Sequence, residues 1–306
     1  MDQHAGHHHH HPDLQSSRPF AIGVFLNVAF VLAEAVFGVM SDSLALLADA
    51  SHNASDVLGL LLAWGAAVLM RRHATRKRTY GWRSTTIMAA LLNALILLII
   101  MGGIAVEAIQ RFSHPAPVAG KTVILVAAAG VVINAVSALL FLSGRKHDLN
   151  RQGAFLHMAA DAGVSAGVVV AGFLIMLTGW TWLDPAISLV ITAIIVYGTW
   201  GLLRESLNLS LHAVPAGIEP KAIEAYLSQR PGVLAVHDLH IWAMSTTETA
   251  LTAHLVKPDP SDDDKQIATI TRDLAEKFGI SHITLQWERQ NNLENCGSNC
   301  HLRCAG

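Results

Sequence analysis

Two short polar segments stand near the start of long apolar stretches of the chain. One runs from His52 to Asp56 and the other from His157 to Asp161, so each places an imidazole and a carboxylate four positions apart. On a helix this spacing puts both side chains on one face, and two such helices facing each other combine two nitrogen and two oxygen donors. We interpret these four residues as a zinc site built inside a membrane.

A simpler interpretation is that these side chains only hydrogen-bond across a helix bundle. The cost of burial argues against it, because an aspartate at the centre of a membrane helix is disfavoured by roughly 2.5 to 3.5 kcal/mol. Asp49 lies seven residues before Asp56 and nearly on the same face. Because four ligands already complete a tetrahedron, we expect Asp49 to hydrogen-bond to a ligand as an outer-shell partner, with direct ligation as the alternative.

The composition excludes an ordinary soluble protein. Of the 306 residues, 52% are hydrophobic and only 14% are charged. The basic residues are not pooled into a patch on the soluble part, which argues against nucleic-acid binding. The chain is therefore expected to be an integral membrane protein with a soluble end.

Apolar runs of about 20 residues, the length that crosses a bilayer as a helix, occur six times before residue 210. They cover residues 20–39, 44–70, 86–109, 123–142, 155–177 and 185–203. We predict a transmembrane domain of six helices over residues 18–210, preceded by a histidine-rich cytoplasmic tail over residues 1–17. The first seventeen residues are polar, which is not typical of a cleavable signal peptide.

Basic residues mark one side of the predicted membrane domain. The loops after the second and fourth spans carry Arg71, Arg72, Arg76, Lys77, Arg78 and Arg83, and Arg145, Lys146 and Arg151. The opposite loops hold only Arg111 and Lys121. The positive-inside rule then places both termini in the cytoplasm, and the short loops favour a bacterial inner membrane.

The soluble end alternates between helical and strand patterns. Helices are predicted over residues 219–230 and 263–278, and strands over 233–243, 249–256 and 282–288. The order αββαβ favours a cytoplasmic ferredoxin-like α+β domain over residues 211–290. In the last strand Ile283, Leu285 and Trp287 alternate with polar residues, which predicts one buried and one polar face.

Metal-binding residue types also occur in this soluble end. His237, His240, His254, His282 and Glu288 all fall on predicted strands, so some could converge on a metal, although they could equally be exposed or hydrogen-bonded. The chain's three cysteines, Cys296, Cys300 and Cys304, lie in a tail over residues 291–306. An odd number on the cytosolic side favours free thiolates or metal ligands over disulfides.

Four motifs together resemble one known family. They are residues 46–56, residues 77–83 with Asn93 downstream, residues 157–161, and the His-Asp-Leu-His-Ile-Trp sequence at 237–242. In order and context they are similar to the cation diffusion facilitator family, specifically its zinc-exporting branch.

This resemblance implies a homodimer of six-helix bundles that carries divalent cations outward against protons, with the cytoplasmic domains paired. It implies that His52, Asp56, His157 and Asp161 are the transport ligands. It implies a cytoplasmic zinc site at His237, His254, Glu288 and Gln286, and a second one that combines His282 with Cys296, Cys300 and Cys304 and a partner's N-terminal histidines.

The chain departs from the family in two places. The loop between the fourth and fifth spans has only His147, whereas His4 and the run 7–11 crowd the N-terminus. The loop between the second and third spans offers His73 and no carboxylate, so we predict that the metal site some relatives hold there is missing.

The residues favour a Zn²⁺/H⁺ antiporter that works by alternating access, with cadmium and cobalt tolerated. Metal and protons would compete for the same imidazoles and carboxylates, which couples their movements. A membrane-bound metal sensor without transport is the alternative. We do not expect an enzyme, because an intramembrane zinc hydrolase needs a general base and the HExxH motif is absent.

Overall fold

The computed structural model describes residues 17–114, 116–142 and 149–289, with side chains from residue 28 onward except 140–142, 149–151 and 154. Six helices occupy the first part of the chain: α1 Ser17–Met40, α2 Leu44–Met70, α3 Thr85–Ser113, α4 Gly120–Leu142, α5 Leu149–Thr178 and α6 Leu183–Ser210. Five of them, α2 to α6, contain stretches long and apolar enough to cross a membrane. In α1 the described apolar stretch is the shorter Val28–Met40.

Parts of these helices form a first compact unit, whose described residues lie within 17–57 and 99–195. Within it α4 and α5 pack at glycines, since a Cβ added to Gly120 would lie 3.0 Å from the carbonyl oxygen of Gly172. Small residues let helix backbones approach this closely inside a membrane.

The start of α2 is fixed by a buried carboxylate of α6. Asp184 is 1% exposed and accepts hydrogen bonds from the Ser43 hydroxyl at 2.5 Å and from the Leu44 amide at 2.8 Å. A carboxylate at a helix N-terminus satisfies free amides and complements the helix dipole. The first turns of α2, which lead to His52, are thereby fixed to α6.

The second unit comprises residues 58–98 and 196–306, and its described part ends in a small C-terminal domain. The elements of this domain are α7 Pro220–Ser228, β1 Ala235–Ala243, β2 Thr249–Val256, α8 Asp263–Phe278 and β3 His282–Glu288. β2 lies in the centre of the sheet, antiparallel to β1 and parallel to β3. The predicted order αββαβ is thus present, and β2, α8 and β3 have the predicted bounds.

Alternation along the strands separates the two faces of this sheet. Leu251 and Leu255 of β2 are fully buried in a core with Ile223, Ile270 and Leu274 of the two helices. His254 lies between the two leucines and is partly exposed, so it belongs to the opposite face. The sheet therefore has one apolar face and one polar face.

An ion network joins the end of the sheet to α8. The Lys257 amine donates to the Asp263 carboxylate at 2.7 Å, and Arg289 donates to the other oxygen of the same carboxylate at 2.6 Å. Burial alone would raise the pKa of Asp263, but the hydrogen bonds from Lys257 and Arg289 outweigh it and lower that pKa. Asp263 is therefore ionised at neutral pH and holds the ends of β2 and β3 to the first turn of α8.

Candidate metal centres

The two polar segments of α2 and α5 come together in the first unit. His52, Asp56, His157 and Asp161 each offer one ligand atom, and these four atoms all lie within 4.8 Å of one another. Both helices run through the apolar part of the chain, and the four-residue spacing presents each pair on one helix face. The structure thus brings together all four residues that the sequence predicted as one site.

Within this cluster each histidine approaches the carboxylate of the other helix most closely. His52 Nε2 lies 3.3 Å from Asp161 Oδ1, and His157 Nε2 lies 3.0 Å from Asp56 Oδ2. The distances within each helix are longer, 3.8 Å for His52 to Asp56 and 3.6 Å for His157 to Asp161. Two nitrogens and two oxygens that surround one point form a donor set suited to a tetrahedral cation.

Exposure is graded across the cluster. The Asp161 and His52 side chains are 5% and 20% exposed, whereas those of Asp56 and His157 are 35% and 43% exposed. Along α2, Asp56 lies closer than His52 to the helix end at Met70, and along α5, His157 lies closer than Asp161 to the helix start at Leu149. The two more exposed residues are therefore the ones nearer the C-terminal end of α2 and the N-terminal end of α5.

Buried polar residues extend beyond the four-group cluster. Asp49 of α2 accepts a hydrogen bond at 2.7 Å from Ser165 of α5, and Asn53 of α2 donates to Glu34 of α1 at 3.1 Å. Asp49 and Glu34 are fully buried. Among the described residues no hydrogen bond joins Asp49 to a member of the cluster, and its outer-shell role stays a prediction. These bonds link α1, α2 and α5 beside the cluster.

A second cluster lies on the polar face of the C-terminal sheet. His237 Nε2 is 2.9 Å from Glu288 Oε2, and His254 Nδ1 is 2.9 Å from Glu288 Oε1. The two imidazole rings meet edge to face with centroids 5.2 Å apart. Sequence register explains the convergence, because His237 pairs with His254 across the antiparallel strands and Glu288 ends the neighbouring parallel strand.

Gln286 and Asp238 flank this second cluster. The amide of Gln286, predicted as a fourth member, donates to Glu288 Oε1 at 3.3 Å. Asp238, which sequence reasoning missed, has an oxygen 3.7 Å from His254 Nε2. A β-bulge between His237 and His240 places it there, with a left-handed backbone φ of 53° at Asp238.

Other predicted residues do not join this cluster among the residues described. His240 pairs with Asp238 at 2.9 Å, and His282 lies at the other end of β3, where its ring meets Tyr80 edge to face at 5.6 Å. The predicted partners of His282, Cys296, Cys300 and Cys304, lie outside the described residues, as do the N-terminal histidines.

Two domain models match the chain. The cation efflux transmembrane domain matches residues 20–209, and the cytoplasmic domain of cation efflux proteins matches residues 215–290. Each match contains one of the two clusters.

Curated relatives match over nearly their whole length. The metal cation efflux system protein CzcD of Cupriavidus metallidurans is 37% identical over 93% of this chain and 90% of its own. The zinc transporter ZitB of Escherichia coli is 34% identical over 96% and 93%. A cadmium, cobalt and zinc/H(+)-K(+) antiporter of Bacillus velezensis is 32% identical over 92% of both chains.

Proposed function

Because this chain belongs to the cation efflux family, also called cation diffusion facilitators, we propose that it exports Zn²⁺ from the cytoplasm in exchange for protons. The family membership confirms the resemblance found in the motifs, and the relatives named above are transporters rather than enzymes. The observation that carries the proposal is the cluster of His52, Asp56, His157 and Asp161, because it lies on two apolar helices of the transmembrane domain.

The donor set favours zinc over the common hard cations. Two imidazoles and two carboxylates suit Zn²⁺, and Co²⁺ and Cd²⁺ are accepted by similar sites, since geometry and ligand type select among these ions. Mg²⁺ and Mn²⁺ prefer sites with more oxygen donors. The names of the relatives agree with this range of substrates.

Proton coupling follows from competition at the same atoms. Zinc requires neutral imidazoles and ionised carboxylates, so its binding displaces protons and its release allows protons to return. In the exchange cycle, zinc binds from the cytoplasm, is released outside as protons take its place, and the protonated carrier returns. The Bacillus relative is named as an antiporter that uses protons.

The graded exposure of the four ligands supports a state of the exchange cycle in which the site is open to the cytoplasm. Asp56 and His157, the more exposed ligands, are the ones nearer the end of α2 and the start of α5, and the positive-inside rule assigns these two helix ends to the cytoplasm. We propose on this basis that zinc reaches the site from the cytoplasm past Asp56 and His157, and that Asp161 and His52 lie on its outer side. Alternating access then requires α2 and α5 to expose the same four groups to the other side.

The remaining architecture is proposed on the same basis. We place six transmembrane spans in residues 18–210 with both termini in the cytoplasm of a bacterial inner membrane, and a ferredoxin-like domain in residues 211–290. The match to the cytoplasmic domain of the family supports a homodimer. The cluster of His237, His254 and Glu288 then binds a regulatory or structural zinc ion. Gln286 or Asp238, which flank the cluster, changes the zinc affinity of that site.

Flux measurements test the proposed exchange directly. Full-length protein is reconstituted into sealed liposomes, and zinc movement is followed with and without an imposed pH gradient. We expect the gradient to drive zinc uphill and an ionophore that dissipates it to stop this movement. Zinc binding without flux in any condition would favour the sensor, and flux indifferent to the gradient would contradict proton coupling.

The cytoplasmic site gives a prediction with an internal control. Replacing His237 with glutamine should weaken zinc binding at this site by about tenfold or more, since even losing an outer-shell partner costs 10- to 100-fold. The same replacement of His212, an exposed histidine between α6 and α7 and outside the cluster, should change it by less than about twofold. Competition titration of the full-length protein with a chromophoric chelator measures both variants, and equal losses would contradict the assignment.

A further inference from the structure

The loop between α2 and α3, residues 71–84, is the most basic segment of the described chain and is called the basic loop here. It contains Arg71, Arg72, Arg76, Lys77, Arg78 and Arg83. No aspartate or glutamate occurs anywhere from residue 57 to residue 106, so no acidic residue nearby in sequence offsets these charges.

The basic loop is an ordered structure rather than an open connection. Thr75 and Arg78 exchange two backbone hydrogen bonds of 3.0 Å, and the Arg78 guanidinium lies over the Trp82 ring at 3.9 Å. Gly81 has a φ of 72°, a left-handed conformation that allows the turn before α3. The cations are therefore presented in a defined arrangement.

One side of the basic loop contacts the C-terminal domain. Arg83 forms an ion pair of 3.0 Å with Glu248, the Ser84 hydroxyl donates to the Met244 carbonyl at 3.3 Å, and the Tyr80 ring meets His282. These contacts all involve the second half of the loop. None of them involves residues 71–77.

The first half carries four cations that this contact does not use. Arg71, Arg72, Arg76 and Lys77 are all exposed. Within the described part of the chain, none of the four forms an ion pair with a carboxylate. Water is the default partner for exposed cations. Because these four lie between two membrane helices, the headgroups of membrane lipids are a second possible partner.

Membrane helices hold the basic loop at both ends. Arg71 and Arg72 directly follow the last residue of α2, and α3 begins at Thr85, one residue after the loop ends. A segment this short spans at most about 3.4 Å per residue and is anchored twice, so its cations stay near the headgroup layer. Clusters of four to eight basic residues directly beside a membrane helix are typical of binding to anionic lipids.

We propose that Arg71, Arg72, Arg76 and Lys77 bind the phosphate groups of anionic phospholipids in the leaflet next to the basic loop. A topological signal alone accounts for basic charge on this side, but it requires neither an ordered loop nor four exposed cations without a carboxylate partner among the described residues. Bound lipid would also hold the loop that contacts Glu248 and Met244 of the C-terminal domain. The proposal is independent of which metal is transported.

Equilibrium binding of fluorescent phosphatidylglycerol to the full-length protein in nonionic detergent tests this proposal. We expect tighter binding of phosphatidylglycerol than of phosphatidylcholine, and weaker binding as salt screens the charges. Since each basic residue near a charged surface is worth about fivefold, the R71Q/R72Q/K77Q variant should bind phosphatidylglycerol about 100-fold more weakly. R72Q alone should give an intermediate loss.

The matched control removes three exposed charges from helices α7 and α8, in the variant K221Q/K265Q/R272Q, and should bind like the unmodified protein. The proposal is overturned if the loop variant keeps its phosphatidylglycerol affinity, if the control loses as much, or if phosphatidylcholine binds equally well. Displacement of the lipid by soluble glycerol phosphate at the same concentration would show recognition of a free anion and would also overturn it.

Discussion

Replacing Asp161 with alanine should abolish zinc transport. Asp161 is the most buried member of the transmembrane cluster, and its two oxygens face both histidines, at 3.3 Å from His52 and 3.6 Å from His157. The substitution removes an anionic donor and leaves three groups around the cation. Because the loss of an outer-shell partner already costs 10- to 100-fold in affinity, we expect zinc flux in liposomes to fall by about 100-fold or more.

The comparison variant for this experiment is His254 to alanine. It removes a donor of the second cluster, which lies on the C-terminal sheet and belongs to a different part of the protein. We expect His254 to alanine to lower zinc flux or its dependence on zinc concentration while gradient-driven movement persists. Normal flux in the Asp161 variant would contradict the assignment of the transport site, and complete loss in both variants would contradict the separate roles of the clusters.

Much of this architecture could be predicted because it depends on local periodicity. The apolar runs placed the helices that the structure contains, and the four-residue spacing placed His52 with Asp56 and His157 with Asp161 on common helix faces. Alternation of apolar and polar residues likewise gave the bounds of β2 and β3. In these cases each residue's environment follows from neighbours a few positions away.

The choice of partners within the C-terminal sheet could not be predicted in this way. Six candidate side chains lie on its strands, and among the described residues His237, His254 and Glu288 converge with Gln286 beside them, whereas His240 and His282 do not join them. The outcome depends on strand register and on the β-bulge after His237, which keeps His240 on the polar face but shifts it to the level of Thr252. Neither feature has a clear signal in one sequence, because both depend on segments far apart in the chain.

The hydrogen-bond partner of Asp49 is another contact that local sequence patterns could not predict. The place of Asp49 seven residues before Asp56 predicted a hydrogen bond to a ligand, which stays a prediction, and its observed partner is Ser165, a serine on another helix with no distinguishing pattern. The sequence does not indicate which helix a serine hydroxyl will contact, because the hydroxyl can also donate a hydrogen bond to a backbone carbonyl of its own helix. Helix-to-helix hydrogen bonds of this kind therefore require a structure to identify.

Replacing His52 with aspartate should change which metal is transported. The donor set becomes one nitrogen and three oxygens, which suits zinc less and Mn²⁺ more, because Mn²⁺ favours carboxylate ligands. His52 has Asp161 at 3.3 Å and Asp56 at 3.8 Å, so the variant places three carboxylates around the cation and strengthens the demand for a hard dication. We expect the ratio of zinc flux to manganese flux to fall by about tenfold, equal to ~1.4 kcal/mol of relative binding.

The control for selectivity is the same substitution at the other cluster, His254 to aspartate. If the four residues on α2 and α5 alone define the transported ion, this control leaves the zinc-to-manganese ratio unchanged even where total flux falls. Parallel flux assays in liposomes with each metal give the ratio and cancel differences in protein amount. A changed ratio in both variants would show that the cytoplasmic site takes part in selection, and an unchanged ratio in the His52 variant would show that selection occurs before the cation reaches the four-group site.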